Sequence, residues 1–428
     1  MFRMIFIKKL FSWVSNKMQK QIIILKKRLK KYRPLVGILN RIYGTYKFLI
    51  NKIRGSGMKR AVNIYNNKNR PANGHALLMY IAHPFFMNEN DPGFRSHINI
   101  QCSLTIVKVL NELGYIVDVI DYTDQEFDTK RQYDIVIGIG GAFDYKKEYF
   151  TNSQIKIYLA TGIHWLTETY LIYQRHFNLK NRKKITLIPR RINEAYFSPE
   201  KSDVIFSVQN EYTNNTYSHL TNPIYPLALS GSFDSPPSAK NIKKKNTRTF
   251  LWLSGGGMVL KGLDIVLEAF SEMPDFKLKV CTNVSSEKDF EQLYFKELYE
   301  TKNIQTYGFV DIGNEKFQDI VSECVAVIFP YPEGEISGSI VNSMYYGLIP
   351  IIGYFSNDEI KEFAELVDGS VDGIKRVLLK FGELTDQDIM EKSSKTLYYV
   401  QKYHSQTKEY NDWKSAFEDV INKYNKSR

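Results

Sequence analysis

Residues 325–353 read VAVIFPYPEGEISGSIVNSMYYGLIPIIG, and this stretch decides the fold class. Its two ends, 325–330 and 349–353, are short, apolar and rich in branched residues, which predicts buried strands. The segment 339–346 between them has helical spacing and begins where serines suit a helix N-terminus. Strands that alternate with helices in this way predict a parallel sheet covered on both faces.

The same alternation extends along the rest of the chain. In the second half, the predicted strands are 249–253, 277–281 and 304–307, and the predicted helices are 263–270, 288–299 and 315–321. In the first half, the predicted strands are 76–82, 115–121, 133–139, 155–160 and 203–208, and the predicted helix is 98–113.

The sequence therefore predicts an α/β protein of two doubly wound, Rossmann-like domains that face a cleft. The first domain would span 61–229 and open with an Asn-, Lys- and Gly-rich linker at 61–76. The second domain would span 248–400. The segment 230–247, rich in Ser, Pro, Gly and Lys, would connect the two.

Composition narrows the class of protein. The 428 residues are 43% hydrophobic and 24% charged, as in ordinary globular proteins, which excludes a disordered or collagen-like chain. The three cysteines lack C-x-x-C spacing, which excludes a zinc ribbon or a disulfide framework and suits a reducing cytosol. No apolar run is long enough for a transmembrane helix, and the opening residues do not resemble a secretory signal.

Residues 1–60 form a basic arm. They hold 17 Lys or Arg and no acid, so the remainder carries 41 basic against 46 acidic residues, although the whole chain has a net charge of +12. Apolar residues recur among these cations at helical spacing, namely Met18, Ile22, Leu25, Leu29 and Tyr32. Basic amphipathic helices lie at anionic membrane interfaces, so we expect the arm to contact an anionic membrane surface.

Other interpretations of the arm remain open. It could pack on its own domain, or the true start could be Met58. Nucleic-acid binding is disfavoured, because it would require exposed aromatic residues among the cations along a folded groove.

A glycine run and a lysine suggest a phosphate site in the second half. Gly255, Gly256 and Gly257 follow the predicted strand 249–253, and Lys261 opens the next helix. Glycines let backbone amides approach a ligand, and a lysine adds a cation at the positive end of the helix dipole, which together suit a diphosphate. A plain tight turn fits the glycines equally well.

A second cluster lies between strand 325–330 and helix 339–346. Ser337 and Ser339 can cap the helix, whose N-terminal N–H groups would point into the same cleft. Glu333 and Glu335 would be awkward beside a bare phosphate, but they would suit sugar hydroxyls. The alternative is a solvent-exposed acidic turn.

Residues 249–353 resemble the donor half of the group 1, or family 4, nucleotide-sugar glycosyltransferases, which have the GT-B fold. The shared phrases occur in the same order and at fitting distances: KGLD at 261–264, GFV at 308–310, EG at 333–334 and M-x-x-G-x-I-P at 344–350. The first domain is similar more loosely, through TGIH at 161–164 and SD at 202–203. The final segment, 401–428, matches the family's C-terminal helix, which returns to the first domain.

The resemblance implies roles for the matching residues. Catalytic roles would fall to Lys261 on the diphosphate, Glu333 on the donor sugar and His164 across the cleft, near the reacting bond. The further residues expected to bind the donor are Gly256, Gly257, Phe309, Val310, Glu335, Ser337, Gly338, Ser339 and Asn342. Of these, Phe309 and Val310 would line the base site, and Glu335 is the alternative to Glu333 in a shifted register.

Two departures from the family pattern bear on activity. The family often has an arginine five residues before the lysine, and that position here is Gly256. Arg175, Arg190 or Arg191 would then have to supply the cation from the first domain. Asn342 stands where the second of two glutamates is usual, and an amide binds a ribose hydroxyl more weakly than a carboxylate does.

Several of the candidate site residues could instead have purely structural roles. A histidine after a strand is often a core or capping residue, which is the alternative for His164. Arg95 and His97, in the loop before 98–113, are weaker candidates for acceptor binding, and scaffolding of the loop is their alternative. The D-x-D at 386–388 is expected to cap a helix, so we predict no metal and no cofactor.

The sequence thus predicts a metal-independent, retaining glycosyltransferase. It would move a sugar from a nucleotide-diphosphate donor, which is a substrate rather than a cofactor, to a glycan or lipid-linked acceptor. The setting would be capsule, lipopolysaccharide or exopolysaccharide synthesis, in the cytoplasm at the inner face of the cell membrane. The alternatives are a sugar-nucleotide epimerase of the same architecture and a non-catalytic membrane-bound partner of another transferase.

Overall fold

The computed structural model describes residues 60–65, 71–89, 91, 94, 97–128, 131–145, 150–151, 153–193, 195–208, 210–232, 247–331 and 337–426. Among the predicted functional residues, Arg95, Glu333 and Glu335 lie outside these ranges, and so does the basic arm except for Arg60. The chain from Arg60 to Arg428 is a single unit that contains two β-sheets.

The first sheet is mostly parallel. Its strands are β1 (Ala61–Ile64), β2 (Gly74–Tyr80), β3 (Tyr115–Asp121), β4 (Ile135–Gly138), β5 (Ile155–Ala160), β6 (Val204–Ser207) and β7 (Ile224–Pro226). Their order is β1-β3-β2-β4-β5-β6-β7, and only the edge strand β1 runs antiparallel to its neighbour within the described chain. Strands β4 and β6 are buried along their whole length, as expected for a sheet with both faces covered.

The second sheet is parallel throughout its described strands. These are β8 (Thr249–Leu253), β9 (Lys277–Cys281), β10 (Ile304–Thr306), β11 (Ala326–Phe329), β12 (Ile349–Ile352) and β13 (Glu365–Leu366). Their order is β10-β9-β8-β11-β12-β13. The chain moves outward from β8 in one direction and then returns to β11 on its other side, so the loops after β8 and β11 diverge and leave a crevice between them.

Helices connect and cover the strands. In chain order they are α1 (Ile98–Glu112), α2 (Gly140–Tyr145), α3 (Trp165–Lys183), α4 (Glu211–Asn215), α5 (Leu263–Ser271), α6 (Lys288–Leu293), α7 (Phe295–Tyr299), α8 (Glu315–Ser322), α9 (Gly338–Met344), α10 (Val371–Glu383), α11 (Asp386–Tyr403) and α12 (Gln406–Lys426). No helix in the described part of the chain combines the length and the apolarity that crossing a bilayer requires.

Two helices join the halves of the molecule. Trp413 and Phe417 of the final helix α12 pack against Phe206 of β6, with ring centroids 5.7 and 5.1 Å apart. In the other direction, Ile172 and Leu179 of α3 are fully buried in the apolar clusters around the second sheet. The two sheets are therefore held together by helices that leave one half and pack on the other.

The predicted fold class agrees with this architecture, and most predicted strands fall within two residues of the observed ones. The linker predicted at 61–76 is wrong in its first part, because Ala61–Ile64 pairs with β3 as an edge strand. The single helix predicted at 288–299 is interrupted at Tyr294, whose buried hydroxyl donates a 2.6 Å hydrogen bond to Glu268. Such a long-range contact leaves no local signal in the sequence.

Candidate functional site

A cavity of about 340 Å³ lies beyond the carboxyl end of β8, between the two halves. We call it the interdomain cavity. Eight of the predicted site residues line it: Lys261, Phe309, Val310, Ser337, Gly338, Ser339, Asn342 and His97. The cavity occupies the crevice at the point where the strand order reverses, which is where ligands bind in open parallel sheets.

Lys261 lies in the loop between β8 and α5. The residue is only 4% exposed, and its Nζ is 3.9 Å from the ring centroid of Tyr331 and 5.3 Å from that of Phe329. The aromatic faces attract the ammonium, which is otherwise costly to bury. The chain then turns sharply into α5 at Gly262, where φ is +83°. This combination holds a cation at the wall of the cavity.

The glycine loop donates backbone hydrogen bonds to a side chain of the protein. The buried carboxylate of Glu287 accepts the Gly257 N–H at 2.6 Å and the Met258 N–H at 3.3 Å. Of the three glycines, Gly255 lines the interdomain cavity, whereas Gly256 and Gly257 do not. The prediction that Gly257 presents its amide to a ligand does not match this geometry, because the Glu287 carboxylate accepts that N–H, whereas the role of Gly256 stays a prediction.

The start of α9 forms another wall of the cavity. Ser337, Gly338 and Ser339 line it, and their predicted contact with donor phosphates stays a prediction. A Cβ atom on Gly338 would lie 2.5 Å from Cδ1 of Ile98, so a larger residue here would force the Ile98 side chain at the start of α1 to move. The same contact brings the two domains together at the cavity.

Asn342 lines the cavity, but its amide already has partners. Its Oδ1 accepts the Ser232 N–H at 2.8 Å, and its Nδ2 donates to the Gly338 carbonyl at 2.8 Å. The residue is 2% exposed. Its visible role is to tie the end of the first domain to α9.

Phe309 and Val310 also line the cavity and follow Gly308, whose φ is +74°. Val310 is buried, whereas Phe309 is 70% exposed. An exposed aromatic ring beside a cavity offers a flat face on which a planar ligand group can stack.

A second cavity, of about 650 Å³, adjoins the first. It lies beyond the carboxyl ends of β2 and β4, at the reversal point of the first sheet, and we call it the first-domain cavity. Four residues line both cavities: His97, Asn99, Thr161 and Arg191. The two cavities are therefore neighbours across a shared wall.

His97 belongs to that wall and caps α1, with its Nδ1 accepting the Asn99 N–H at 3.2 Å. Burial, and then the charge of Arg191 and the nearby His83, lower the pKa of His97. The ring is therefore neutral at pH 7, with Nε2 carrying the proton when Nδ1 accepts.

Two carboxylates in the first-domain cavity were not among the predicted residues. Asp144 accepts hydrogen bonds from the Ser198 hydroxyl and the Phe197 N–H, each at 3.0 Å. Glu168 of α3 accepts from the Asn193 side chain. Their partners lie 25 to 54 residues away in the chain, so no local spacing could have pointed to them.

His164 does not line either cavity. It is 3% exposed and caps α3, with Nδ1 accepting the Leu166 N–H at 3.3 Å. Its ring packs edge-on against Tyr217 and His219. Burial and then His219 lower its pKa. The capping alternative therefore describes His164 better than the predicted place near a reacting bond.

One group in the described chain has ligand atoms close enough to suggest a metal: those of His164, Glu200 and His219 lie within 4.8 Å of one another. The bond from Leu166 to Nδ1 places the proton of the neutral His164 ring on Nε2, so Nε2 has no lone pair for a cation. The D-x-D at 386–388 is a helix cap, in which Asp388 accepts from Thr385.

The three arginines considered as a second cation differ in their surroundings. Arg175 donates to Asp264 at 3.0 Å and to the Val259 and Gly369 carbonyls at 3.2 Å.

Arg190 donates twice to Asp289, at 3.0 and 2.6 Å. Burial of Asp289 opposes its ionisation, but the bonds from Arg190 and the Ile188 N–H outweigh burial and lower the pKa of Asp289 to about 2. Of the three arginines, only Arg191 lines the interdomain cavity.

Comparison with solved structures identifies the fold. The glycosyltransferase HepE of Anabaena, in complex with UDP-glucose, is 12% identical and aligns over 82% of this chain and 100% of its own, with a TM-score of 0.54. A glycosyltransferase of Rickettsia africae is also 12% identical and aligns over 82% of this chain and 99% of its own, with a TM-score of 0.52. No protein-family model matches the sequence, and no curated protein matches it. The chain has the GT-B fold predicted from its sequence.

Proposed function

We propose that this protein is a glycosyltransferase that moves a sugar from a nucleotide-diphosphate donor to an acceptor. The observation that carries the proposal is the interdomain cavity, whose lining includes Lys261, the start of α9 and the exposed residue Phe309. A cation and an aromatic ring in the lining of one cavity suit the diphosphate and the base of a nucleoside diphosphate. The GT-B fold places such a cavity between donor and acceptor halves.

A uridine nucleotide is the first donor to test. HepE, which shares the fold, is bound to UDP-glucose. The volume of about 340 Å³ lies within the range of small-ligand sites. Glu333 and Glu335, proposed to hold the hydroxyls of the donor sugar, lie outside the described residues.

In the proposed reaction an acceptor hydroxyl oxygen bonds to the anomeric carbon as the bond from that carbon to the donor diphosphate breaks. The electron pair leaves with the diphosphate, and the acceptor proton passes to it or to solvent. Lys261 would stabilise the charge that develops on the leaving group, without a metal ion. Retention of anomeric configuration follows from the resemblance and is part of the proposal.

The acceptor would occupy the first-domain cavity. This cavity shares His97, Thr161 and Arg191 with the donor side, so a sugar at the shared wall would meet both substrates. Neutral His97, Asp144 and Glu168 supply hydrogen-bonding groups of the kind that sugars require. The cavity, of about 650 Å³, has room for the reacting end of the glycan or lipid-linked acceptor that we propose.

Residues 1–60 and an exposed face of α3 support a lipid-linked acceptor at the cytoplasmic face of a membrane. Leu166, Tyr170, Tyr173 and Phe177 follow one another at helical spacing, and each is more than half exposed. Lys180 and Lys184 are exposed beyond them. Apolar side chains next to cations suit an anionic lipid surface.

The decisive experiment compares Lys261→Ala with wild-type protein and with Lys316→Ala, an exposed lysine on α8 outside both cavities. Donor binding is screened with UDP-, GDP-, ADP- and CMP-sugars, and transfer is measured with the sugar that binds. We expect Lys261→Ala to lower turnover by about 100-fold or more, as losses of electrostatic stabilisers do, and Lys316→Ala to leave it unchanged.

Other outcomes separate the rival functions. A nucleotide sugar with changed configuration, formed from the donor without any acceptor, would indicate an epimerase. Donor binding without turnover, or no binding to any of the nucleotide sugars, would favour a non-catalytic partner. Turnover that survives Lys261→Ala would reject the proposed role of the cavity.

A further inference from the structure

We propose that Arg191, from the first domain, supplies the second cation for the donor diphosphate and replaces the arginine whose position Gly256 holds. The inference rests on the proposed function and names a residue that the donor site takes from the opposite half of the molecule. Arg191 and Lys261 line the same interdomain cavity.

The backbone at Arg191 is held in an unusual conformation. Its φ is +63°, in the left-handed region that non-glycine residues rarely adopt. Such residues persist where the surroundings force them, and they cluster at functional sites. In Arg191 the backbone conformation is held by contacts that the preceding residues make with the second domain.

The neighbouring residue provides the anchor. Arg190 holds Asp289 of α6 with two hydrogen bonds, at 3.0 and 2.6 Å, and Asp289 also accepts the Ile188 N–H at 3.0 Å. The segment that carries Arg191 is therefore fixed to the second domain on the side before it. The side chain of Arg191, which follows this anchor, lies against the glycine loop at Gly257.

The stem of Arg191 lies against that loop. A Cβ atom added to Gly257 would be 2.8 Å from Cδ of Arg191, so the glycine provides the space that the stem occupies. Half of the Arg191 side-chain surface is exposed, and its ion pair with Glu168 spans 3.9 Å, beyond hydrogen-bond distance. The guanidinium can therefore turn to a ligand at a small cost.

The other two candidate arginines already donate hydrogen bonds to groups of the second domain. Arg175 makes three hydrogen bonds to the second domain, and Arg190 makes its paired bonds to Asp289. Neither lines either cavity. Arg191 borders both, so its charge lies where the diphosphate of a donor would meet the acceptor side.

The chemistry of the group suits the task. A guanidinium can donate two parallel hydrogen bonds to phosphate oxygens, which the single ammonium of Lys261 cannot do. A diphosphate held by both would bridge the two domains. Because Arg191 also lines the first-domain cavity, it would bind the phosphate nearer the acceptor, and a nucleoside monophosphate lacks that second phosphate group. Loss of Arg191 should therefore weaken diphosphates selectively.

The test measures binding rather than activity, by calorimetry on the full chain. UDP, GDP, ADP and CDP are titrated first, and the tightest binder is then compared with its own monophosphate. For Arg191→Ala we expect the diphosphate to bind at least 10-fold more weakly and the monophosphate to change by less than 3-fold. Arg248→Ala is the matched control, because Arg248 is 47% exposed, has a 3.8 Å ion pair and lies outside both cavities.

A second variant guards against misfolding. Arg191→Gly removes the same charge and relieves the left-handed conformation, so it should unfold at or above the wild-type temperature yet show the same loss of diphosphate affinity. If Lys261→Ala weakens the diphosphate and both Arg191 variants bind it normally, the inference is wrong and the proposed function stands. If wild-type protein binds none of the four diphosphates, both are overturned.

Discussion

Glu409 is a carboxyl group buried at the start of α12, where the domains meet. It is 1% exposed, and its Oε2 accepts a 2.5 Å hydrogen bond from the Ser230 hydroxyl. Burial raises the pKa of Glu409 to about 7, although the bond from Ser230 opposes the shift. The folded chain therefore keeps a proton on this side chain that the unfolded chain loses near its ordinary pKa of 4.5.

This shift predicts a pH dependence of stability. The contribution of Glu409 is fully present below pH 4.5 and is lost as pH rises through about 7, by about 3 kcal/mol at most. Glu409→Gln keeps the shape and removes the titration. We expect the variant to gain unfolding free energy relative to wild type between pH 5.5 and pH 8, measured by urea unfolding.

The comparison of variant with wild type isolates this group. His404, also buried at the junction, has a pKa lowered by burial to about 4 and acts in the opposite direction, but it is present in both proteins. Unfolding free energies of Glu409→Gln and wild type that change in parallel with pH would contradict the prediction.

Single residues also show where sequence reasoning ends. Lys261 is recognisable because a lysine after a glycine run is a local pattern. The contacts of His164 and Gly257 are not visible in any local pattern. The His164 ring packs on Tyr217 and His219, and the Gly257 N–H donates to the Glu287 carboxylate. Arg191 could be named only as one of three candidates, because backbone conformation and cavity lining decide among them.

At the scale of elements, α3 is one of the two helices that join the domains. Arg175 and Arg182 of α3 donate to Asp264 of α5 at 3.0 and 2.5 Å, and Asp264 is fully buried. Arg182 also bonds Glu268 at 3.1 Å. Helix packing and a buried charge network thus fix this element to the half of the molecule that does not contain its neighbouring strands.

Removal of the shared carboxylate should therefore be costly. Asp264→Ala leaves two arginines without their common acceptor, and breaking a buried ion pair costs about 3–5 kcal/mol. The matched control is Asp372→Ala, whose carboxylate is 80% exposed and pairs with Lys375 at 3.6 Å. Surface pairs contribute about 0–1 kcal/mol, so this variant should unfold at nearly the wild-type urea concentration. Equal midpoints for the two variants would show that the network does not stabilise the fold.

Elements are the level at which sequence analysis succeeds best. Strands β3, β5, β8 and β9 coincide with their predictions, because continuous apolar runs are local and their meaning does not depend on distant residues. The edge strand β1 was missed because AVNI has only one buried residue. Its position depends on pairing with β3, which no local pattern reveals.

For the whole molecule, the proposed membrane contact rests on charge distribution and exposed apolar surface together. The basic residues of 1–60 contrast with the excess of acids elsewhere, and the apolar face of α3 lies beside exposed lysines. An enzyme held on the surface that carries a lipid-linked acceptor gains effective concentration of that acceptor. The alternation of strands and helices predicts two domains, but it does not reveal such a surface, because exposure is a property of the folded chain.

Vesicle binding tests this surface in the full-length chain. We expect Tyr170→Ser with Phe177→Ser to weaken sedimentation with phosphatidylglycerol vesicles several-fold, because both side chains are more than half exposed and would lose their insertion into lipid. Met390→Ser with Tyr398→Ser is the matched control, since these residues of α11 are equally exposed at 65% and 62%. Deletion of residues 1–57 should reduce binding further and remove most of its salt dependence, because the arm holds most of the clustered cations. Wild-type protein that binds phosphatidylcholine as well as phosphatidylglycerol would contradict an attraction to anionic lipid. Variants that all sediment alike would place membrane contact outside both segments.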